Sequence, residues 1–140
     1  MADASSSSQV PGSPRAAATV ILLRERPAAA DTFDVFFVKR HARSGFMANA
    51  YVFPGGRVDD ADSSPALLDR VEGVDGEALL ARMHGVTSSR DALAHVVAAI
   101  RETFEEAFVL LARRTDGRPV NLTDPAQADS LSAWRERLNA

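Results

Sequence analysis

Six consecutive residues, 101–106 (RETFEE), constrain this chain most strongly, because three of them are glutamates. On a helix, Glu102, Glu105 and Glu106 fall within about 100° of one another and form one narrow face. The opposite face is apolar. Its members are Leu93, Val96, Val97, Ile100, Phe104 and Ala107. The pattern predicts a helix from about residue 90 to at least residue 107, with Ser88 or Ser89 as its N-cap, a core on one side and clustered like charges on the other.

Two interpretations of the acidic face are open from the helix alone. Clustered carboxylates repel one another unless a cation joins them, and oxygen ligands of this kind suit Mg²⁺ or Mn²⁺. Alternatively, the face is simply solvated, with Arg101 and Glu105 paired at i,i+4 for a few tenths of a kcal/mol. Glutamate-rich faces are common, so the helix by itself favours the second interpretation, and residues upstream must decide.

Composition excludes several classes of function. The chain has 140 residues, enough for one domain, and is 46% hydrophobic and 25% charged. A net charge of −3 provides no basic field for nucleic acid or a membrane surface. With no cysteine, disulfides and thiolate zinc sites are excluded, which fits a reducing compartment such as the cytoplasm. No apolar run approaches the roughly 20 residues that a membrane span requires.

The remaining pattern predicts a disordered lead followed by strands and further helices. Residues 1–15 are rich in Ser, Gly and Pro and contain too little apolar area to order. Residues 16–24 and 33–39 are predicted strands that pair as a hairpin, and the second is predicted to be buried on both faces. The other predicted elements are a short strand over 50–53, helical turns near 67–71 and 76–84, and a terminal helix over about 126–138.

Two motifs in the correct order resemble the signature of the Nudix hydrolase family. That signature is a glycine, five residues, a glutamate, seven residues, then Arg-Glu-apolar-x-Glu-Glu-x-Gly-apolar. Here the strand leads into Pro54-Gly55-Gly56, and five residues after Gly56 stands Asp62 in place of the glutamate. The segment 101–106 supplies the core of the signature intact. The resemblance covers roughly residues 16–114.

The chain departs from the family pattern at three points. Positions 63 to 100 separate Asp62 from Arg101, which makes 38 residues instead of seven, and an insertion there resembles the coenzyme A diphosphatase branch. Phe108 replaces the glycine that ends the helix, so the helix is expected to continue to about Ala112. The chain stops at Ala140, before the strands and helix that normally follow, so the fold is expected to be incomplete.

The resemblance implies an α+β fold of the α/β/α sandwich type, with a mixed sheet on which the helix packs, over residues 16–140 and with residues 63–88 as the insertion. It implies a divalent cation, Mg²⁺ or Mn²⁺, held by the three glutamates with a carbonyl of Gly55 or Gly56, and Asp62 as a weaker ligand. The implied catalytic residues are Glu102, near the activated water, Glu105, and Arg101, which would orient the glutamates. The basic residues Lys39, Arg40 and Arg43 are candidate contacts for substrate phosphates.

Two functions of different classes follow from these expectations. The first is Mg²⁺-dependent cleavage of a diphosphate in a small nucleoside diphosphate derivative, with the insertion favouring coenzyme A or acyl-coenzyme A. The second is a catalytically silent or truncated module of the same fold with a scaffold or interaction role, and Phe108 and the early stop favour it. A homodimer is compatible with either function.

Overall fold

The computed structural model describes residues 14–27, 31–40 and 48–138. The predicted disordered lead therefore lies outside the described residues, apart from Pro14 and Arg15, and so does Arg43. The order of elements is six short strands, a 3-10 turn and four helices, which is a mixed α+β architecture as expected. The strands are β1 Ala17–Thr19, β2 Leu23–Glu25, β3 Phe33–Val35, β4 Val38–Lys39, β5 Tyr51–Val52 and β6 Gly55–Arg57.

The strands pair two by two, and each pair is antiparallel. β1 pairs with β6, β2 with β3 as the predicted hairpin, and β4 with β5. In the described parts of the chain, the expected mixed sheet is thus replaced by three antiparallel ladders of two strands. The predicted strand 16–24 is divided into β1 and β2 because Val20 N–H donates to Pro54 O (2.9 Å), whereas Phe36 N–H donates to Leu22 O (3.0 Å).

Burial of the predicted strand 33–39 on both faces was a wrong prediction. Phe33 is 56% exposed and Phe37 is 44% exposed, and Leu23 on the partner strand is 60% exposed. Phe37 is partly covered by Phe53, whose ring stacks on it at 4.7 Å between centroids. The continuous apolar run correctly indicated a strand, but the described residues supply no layer that covers its outer face.

The long helix, α3, runs over Ser89–Ala107 and is the element with the most neighbours in the described residues. Ser88 is its N-cap, as predicted, and accepts a hydrogen bond from Asp91 N–H at 3.1 Å. β1 and β6 contact it, as do the 3-10 turn Asp60–Ser63 and the helices α1 Pro65–Leu68 and α2 Gly76–Leu80. The last helix, α4 Pro125–Leu138, begins with a proline, which suits the first helical position.

The buried core is formed mainly by residues of α3, because other elements contact this helix on several sides. Ala92 and Ala98 are fully buried, and Val97 and Phe104 are buried to more than nine-tenths. Thr103 is also fully buried and satisfies its hydroxyl by donating to Ala99 O at 2.7 Å. None of the helices in the described ranges is long and apolar enough to cross a membrane.

The expected continuation of α3 past Phe108 is wrong. The helix ends at Ala107, and Phe108 takes the left-handed conformation with φ 55° and ψ 28° that glycine usually supplies at this position. Its N–H donates to Phe104 O (2.9 Å), and the two rings stack at 5.4 Å between centroids. Residues 109–112 are not paired in a strand either. Tertiary contacts have thus outweighed the roughly 1–2 kcal/mol that a left-handed residue other than glycine costs.

Candidate active site

The candidate site lies where α3 faces the turn between β5 and β6. β6 brings Gly55 and Gly56 against the acidic face of the helix, and the 3-10 turn brings Asp62 against Arg101 beside that face. All three glutamates of the face are on α3, within four residues of one another. The insertion begins beside this region at the 3-10 turn and ends at the N-cap of α3, at the opposite end of the helix.

Arg101 is the centre of this arrangement. Its guanidinium forms a two-pronged ion pair with Asp62, with Nε to Oδ1 and Nη2 to Oδ2 both at 2.9 Å. Nη2 also donates to Arg57 O at 2.9 Å, which ties the helix to β6. The remaining nitrogen, Nη1, donates to Glu102 Oε1 at 3.0 Å and Glu105 Oε1 at 3.2 Å. One side chain thus joins a strand, a turn and two carboxylates of the acidic face.

Asp62 is not brought into the group of glutamates. It is 99% buried, and each of its oxygens is bound by Arg101. Oδ2 also accepts from Asp59 N–H at 2.8 Å, which closes the 3-10 turn. The hydrogen bonds of Asp62 raise the pKa of Arg101 above its usual range, so this arginine stays charged at any pH at which the chain is folded. A metal bond to Asp62 would require giving up these contacts, and its placement supports a structural partner of Arg101 instead.

The glutamates differ in their surroundings. Burial raises the pKa of Glu105, and its hydrogen bond with Arg101 opposes that shift. Glu106 is exposed and accepts from Gly55 N–H at 3.1 Å. Glu102 packs so closely on Gly56 that a Cβ there would lie 2.3 Å from its Oε1. Only glycine at position 56 leaves room for this carboxylate.

The chemistry of these residues fits a hard divalent cation, because three carboxylates, whose oxygens are the ligands such a cation prefers, lie on one face beside two glycines. Hydrogen bonds from Arg101 and Gly55 N–H hold these carboxylates where they are. Within the described ranges, no three His, Asp or Glu side chains converge as a metal cluster. Direct ligation by a glycine carbonyl stays a prediction.

The other predicted contacts are placed only in part. Lys39 ends β4, and its ammonium lies 6.0 Å from the centroid of the Tyr51 ring. Arg40 donates its N–H to Ala50 O (2.9 Å), which extends the β4–β5 ladder. Their role in phosphate binding is untested, and Arg43 lies outside the described residues. His95 lies on the same side of α3 as the acidic face, but its Nδ1 lies 2.7 Å from Asp91 O within its own helix.

Sequence reasoning missed Arg135 of α4. Its Nε donates to Glu105 O at 2.7 Å, and its guanidinium lies 5.8 Å from the centroid of the Phe108 ring. No motif marks this residue, which lies outside the resemblance to the family. The only available signal was that the last turn of α3 contains no basic residue, although helix C-termini favour one.

Comparisons with known proteins agree with the resemblance to the Nudix family. The family model of the NUDT19 Nudix domain matches residues 14–88. Acyl-coenzyme A diphosphatase NUDT19 from Gallus gallus is 34% identical over 132 residues, which is 76% of this chain and 35% of that protein. The Xenopus laevis protein of the same name is 32% identical over 129 residues, 76% of this chain and 34% of that protein. The chain thus spans about a third of the length of the curated relatives it matches.

A solved structure supports the same fold. The crystal structure of a NUDIX hydrolase from Alicyclobacillus acidocaldarius superposes with a TM-score of 0.57 at 29% sequence identity. The match covers 89% of this chain and 55% of that one. The expected fold class is confirmed, with the departures in strand pairing and burial described above.

We predict that Asp62→Asn lowers the free energy of unfolding by about 2 kcal/mol, because Arg101 loses the charge that balances it while keeping some solvent contact. Asp60→Asn is the control, since Asp60 is an exposed carboxylate in the same turn and its loss should change stability by less than about 0.5 kcal/mol. Urea denaturation of both variants measures the difference. Equal stability of the two variants would contradict the structural role of Asp62.

We predict that Gly56→Ala weakens Mn²⁺ binding by roughly tenfold, about 1.4 kcal/mol, because the added methyl group displaces the Glu102 carboxylate. Gly85→Ala is the control: it has a φ of +78°, so it carries backbone strain, but its Cβ meets no atom within 4 Å. That variant should lose stability and keep its Mn²⁺ affinity. Calorimetric titration of both folded proteins would separate steric displacement from general destabilisation.

Proposed function

The chain belongs to the Nudix hydrolases through the NUDT19 Nudix domain, and from that premise we propose that it takes part in metal-dependent hydrolysis of a diphosphate. The observation that carries the proposal is the acidic face of α3, held against Gly55-Gly56 by a single, partly buried arginine. This arrangement concentrates negative charge beside two glycines, of which Gly56 leaves room for the Glu102 carboxylate. Such a site suits a cation that in turn neutralises phosphate oxygens.

Each residue has a proposed role. Glu102, Glu105 and Glu106 would hold Mg²⁺ or Mn²⁺, with a carbonyl of Gly55 or Gly56 as a further ligand. Arg101 binds Glu102 and Glu105 from behind and fixes their rotamers, and Asp62 in turn fixes Arg101. When bound, the cation supplies charge neutralisation at the phosphate oxygens and lowers the pKa of water.

The reaction is nucleophilic displacement at phosphorus. The oxygen of water forms a bond to one phosphorus of the diphosphate, the bridging P–O bond breaks, and the second phosphate leaves with the bridging oxygen. The proton released by water needs an acceptor. We propose that Glu102 is the glutamate nearest the attacking water, because its close approach to Gly56 fixes its carboxylate at the edge of the strand.

The proposed substrate is coenzyme A or acyl-coenzyme A, cleaved to a phosphopantetheine and adenosine 3′,5′-bisphosphate. The names of the relatives, acyl-coenzyme A diphosphatase, support this choice. The insertion over 63–88 supports it too, because an insertion at this point resembles the coenzyme A diphosphatase branch, and its helices α1 and α2 pack on α3. Lys39 and Arg40 are proposed phosphate contacts, and a cytoplasmic location is proposed from the lack of cysteine.

We predict that Glu105→Gln weakens Mn²⁺ binding at least roughly tenfold, because a charged ligand becomes neutral. Glu72→Gln removes an exposed glutamate of the insertion and should leave the affinity unchanged. Titration calorimetry with Mn²⁺ alone measures both. The same affinity in the two variants would exclude the acidic face as the metal site.

We predict that the chain with Mg²⁺ hydrolyses coenzyme A or an acyl-coenzyme A faster than ADP-ribose or a nucleoside triphosphate. Chromatography of the products identifies the bond that is broken. Turnover of ADP-ribose alone would contradict the substrate and leave the hydrolase class intact. Mn²⁺ binding without turnover of any diphosphate would favour the second candidate, a silent module, which the large exposed apolar surface of the hairpin also suits.

A further inference from the structure

The C-terminal end of α3 carries negative charge that no basic residue of its own last turn compensates. Glu105 and Glu106 lie in its last turn, where the carbonyl end of the helix dipole disfavours negative charge. The last turn contains no basic residue. The carbonyls of the final residues also lack partners within the helix, apart from Phe104 O, which accepts from Phe108 N–H.

Arg135 supplies a positive charge and hydrogen-bond donors to this end of α3. From α4, thirty residues further along the chain, its Nε donates to Glu105 O at 2.7 Å and its Nη2 donates to Glu106 O at 3.4 Å. The two carbonyls belong to two of the residues whose side chains form the acidic face. The same guanidinium covers the ring of Phe108, the residue in the left-handed conformation that ends the helix.

We propose that Arg135 is a positioning residue that fixes Glu105 and Glu106 by holding their backbone carbonyls. A fraying last turn would let both Cα–Cβ bonds rotate away from Gly55-Gly56. The Arg135 guanidinium opposes that fraying through charge-assisted hydrogen bonds to the two carbonyls and through its favourable interaction with the helix dipole. Arg101 controls the carboxylate groups from the side of the strand, whereas Arg135 controls the backbone from the open end of the helix. The consequence for metal binding rests on the proposed function, but the hold on the helix end does not.

Arg137 provides a matched control on the same helix. It lies two residues away, and its guanidinium lies 4.8 Å from the centroid of the Trp134 ring of its own helix. Arg137→Ala therefore removes the same charge from the same end of α4 and leaves the carbonyl contacts with α3 in place. Arg135→Lys is the conservative variant, because it keeps the charge but not the forked pair of donors.

The experiment is amide hydrogen exchange by NMR on the full chain, followed by Mn²⁺ titration of the same variants. Arg135→Ala should accelerate exchange at residues 105–108 by about tenfold or more, with little change over 92–98 in the same helix. Arg137→Ala should change neither segment, and Arg135→Lys should fall between. Mn²⁺ binding by Arg135→Ala should weaken by roughly threefold to tenfold, and that of Arg137→Ala should not.

Each outcome decides between a local and a general role. Unchanged exchange at 105–108 overturns the inference, and so does equal acceleration along all of α3, since that would mean general destabilisation. Local acceleration with unaltered Mn²⁺ affinity overturns the positioning role for the glutamates. If the unaltered chain binds no Mn²⁺, the proposed function fails, and the exchange data still show whether Arg135 holds the helix end.

Discussion

The hydrogen bonds of the Arg101 guanidinium are the interactions on which the rest of this structure depends. Its donors are divided among Asp62, Arg57 O and two glutamates, so it fixes the 3-10 turn and β6 against α3 and also orients two carboxylates of the acidic face. Because Asp62 is almost fully buried, the pair carries a large desolvation cost that only complete hydrogen bonding offsets. The geometry meets that condition, since both oxygens of Asp62 are bound. Loss of either partner would leave a buried charge in the middle of the site.

The local features of the helix were predictable because they depend on nearby residues. The N-cap at Ser88 and the beginning of the long helix follow from hydroxyl chemistry and apolar period alone. The three glutamates on one face follow from the spacing in the same way. The hairpin was predictable for the same reason, since turn residues separate two runs of β-formers.

Features that depend on distant partners were not predictable. Phe108 was expected to extend the helix, because a left-handed phenylalanine is locally costly, and Arg135 and Phe104 reversed that balance. Asp62 was a weaker candidate metal ligand, which stays a prediction, and sequence spacing could not show that Arg101 binds both of its oxygens. The apolar run of β3 was expected to be buried, although strand pattern alone cannot show whether a second layer covers it.

The insertion between Asp62 and Arg101 has a thermodynamic consequence. Their ion pair closes a loop of 38 residues, positions 63 to 100, in place of the seven that the signature usually has. For a flexible chain, loop-closure entropy makes the longer loop only about 1.5 kcal/mol more costly. Packing of α1 and α2 on α3 can offset a cost of that size. The length of the segment can therefore drift during evolution while the two ends that the ion pair joins keep their geometry.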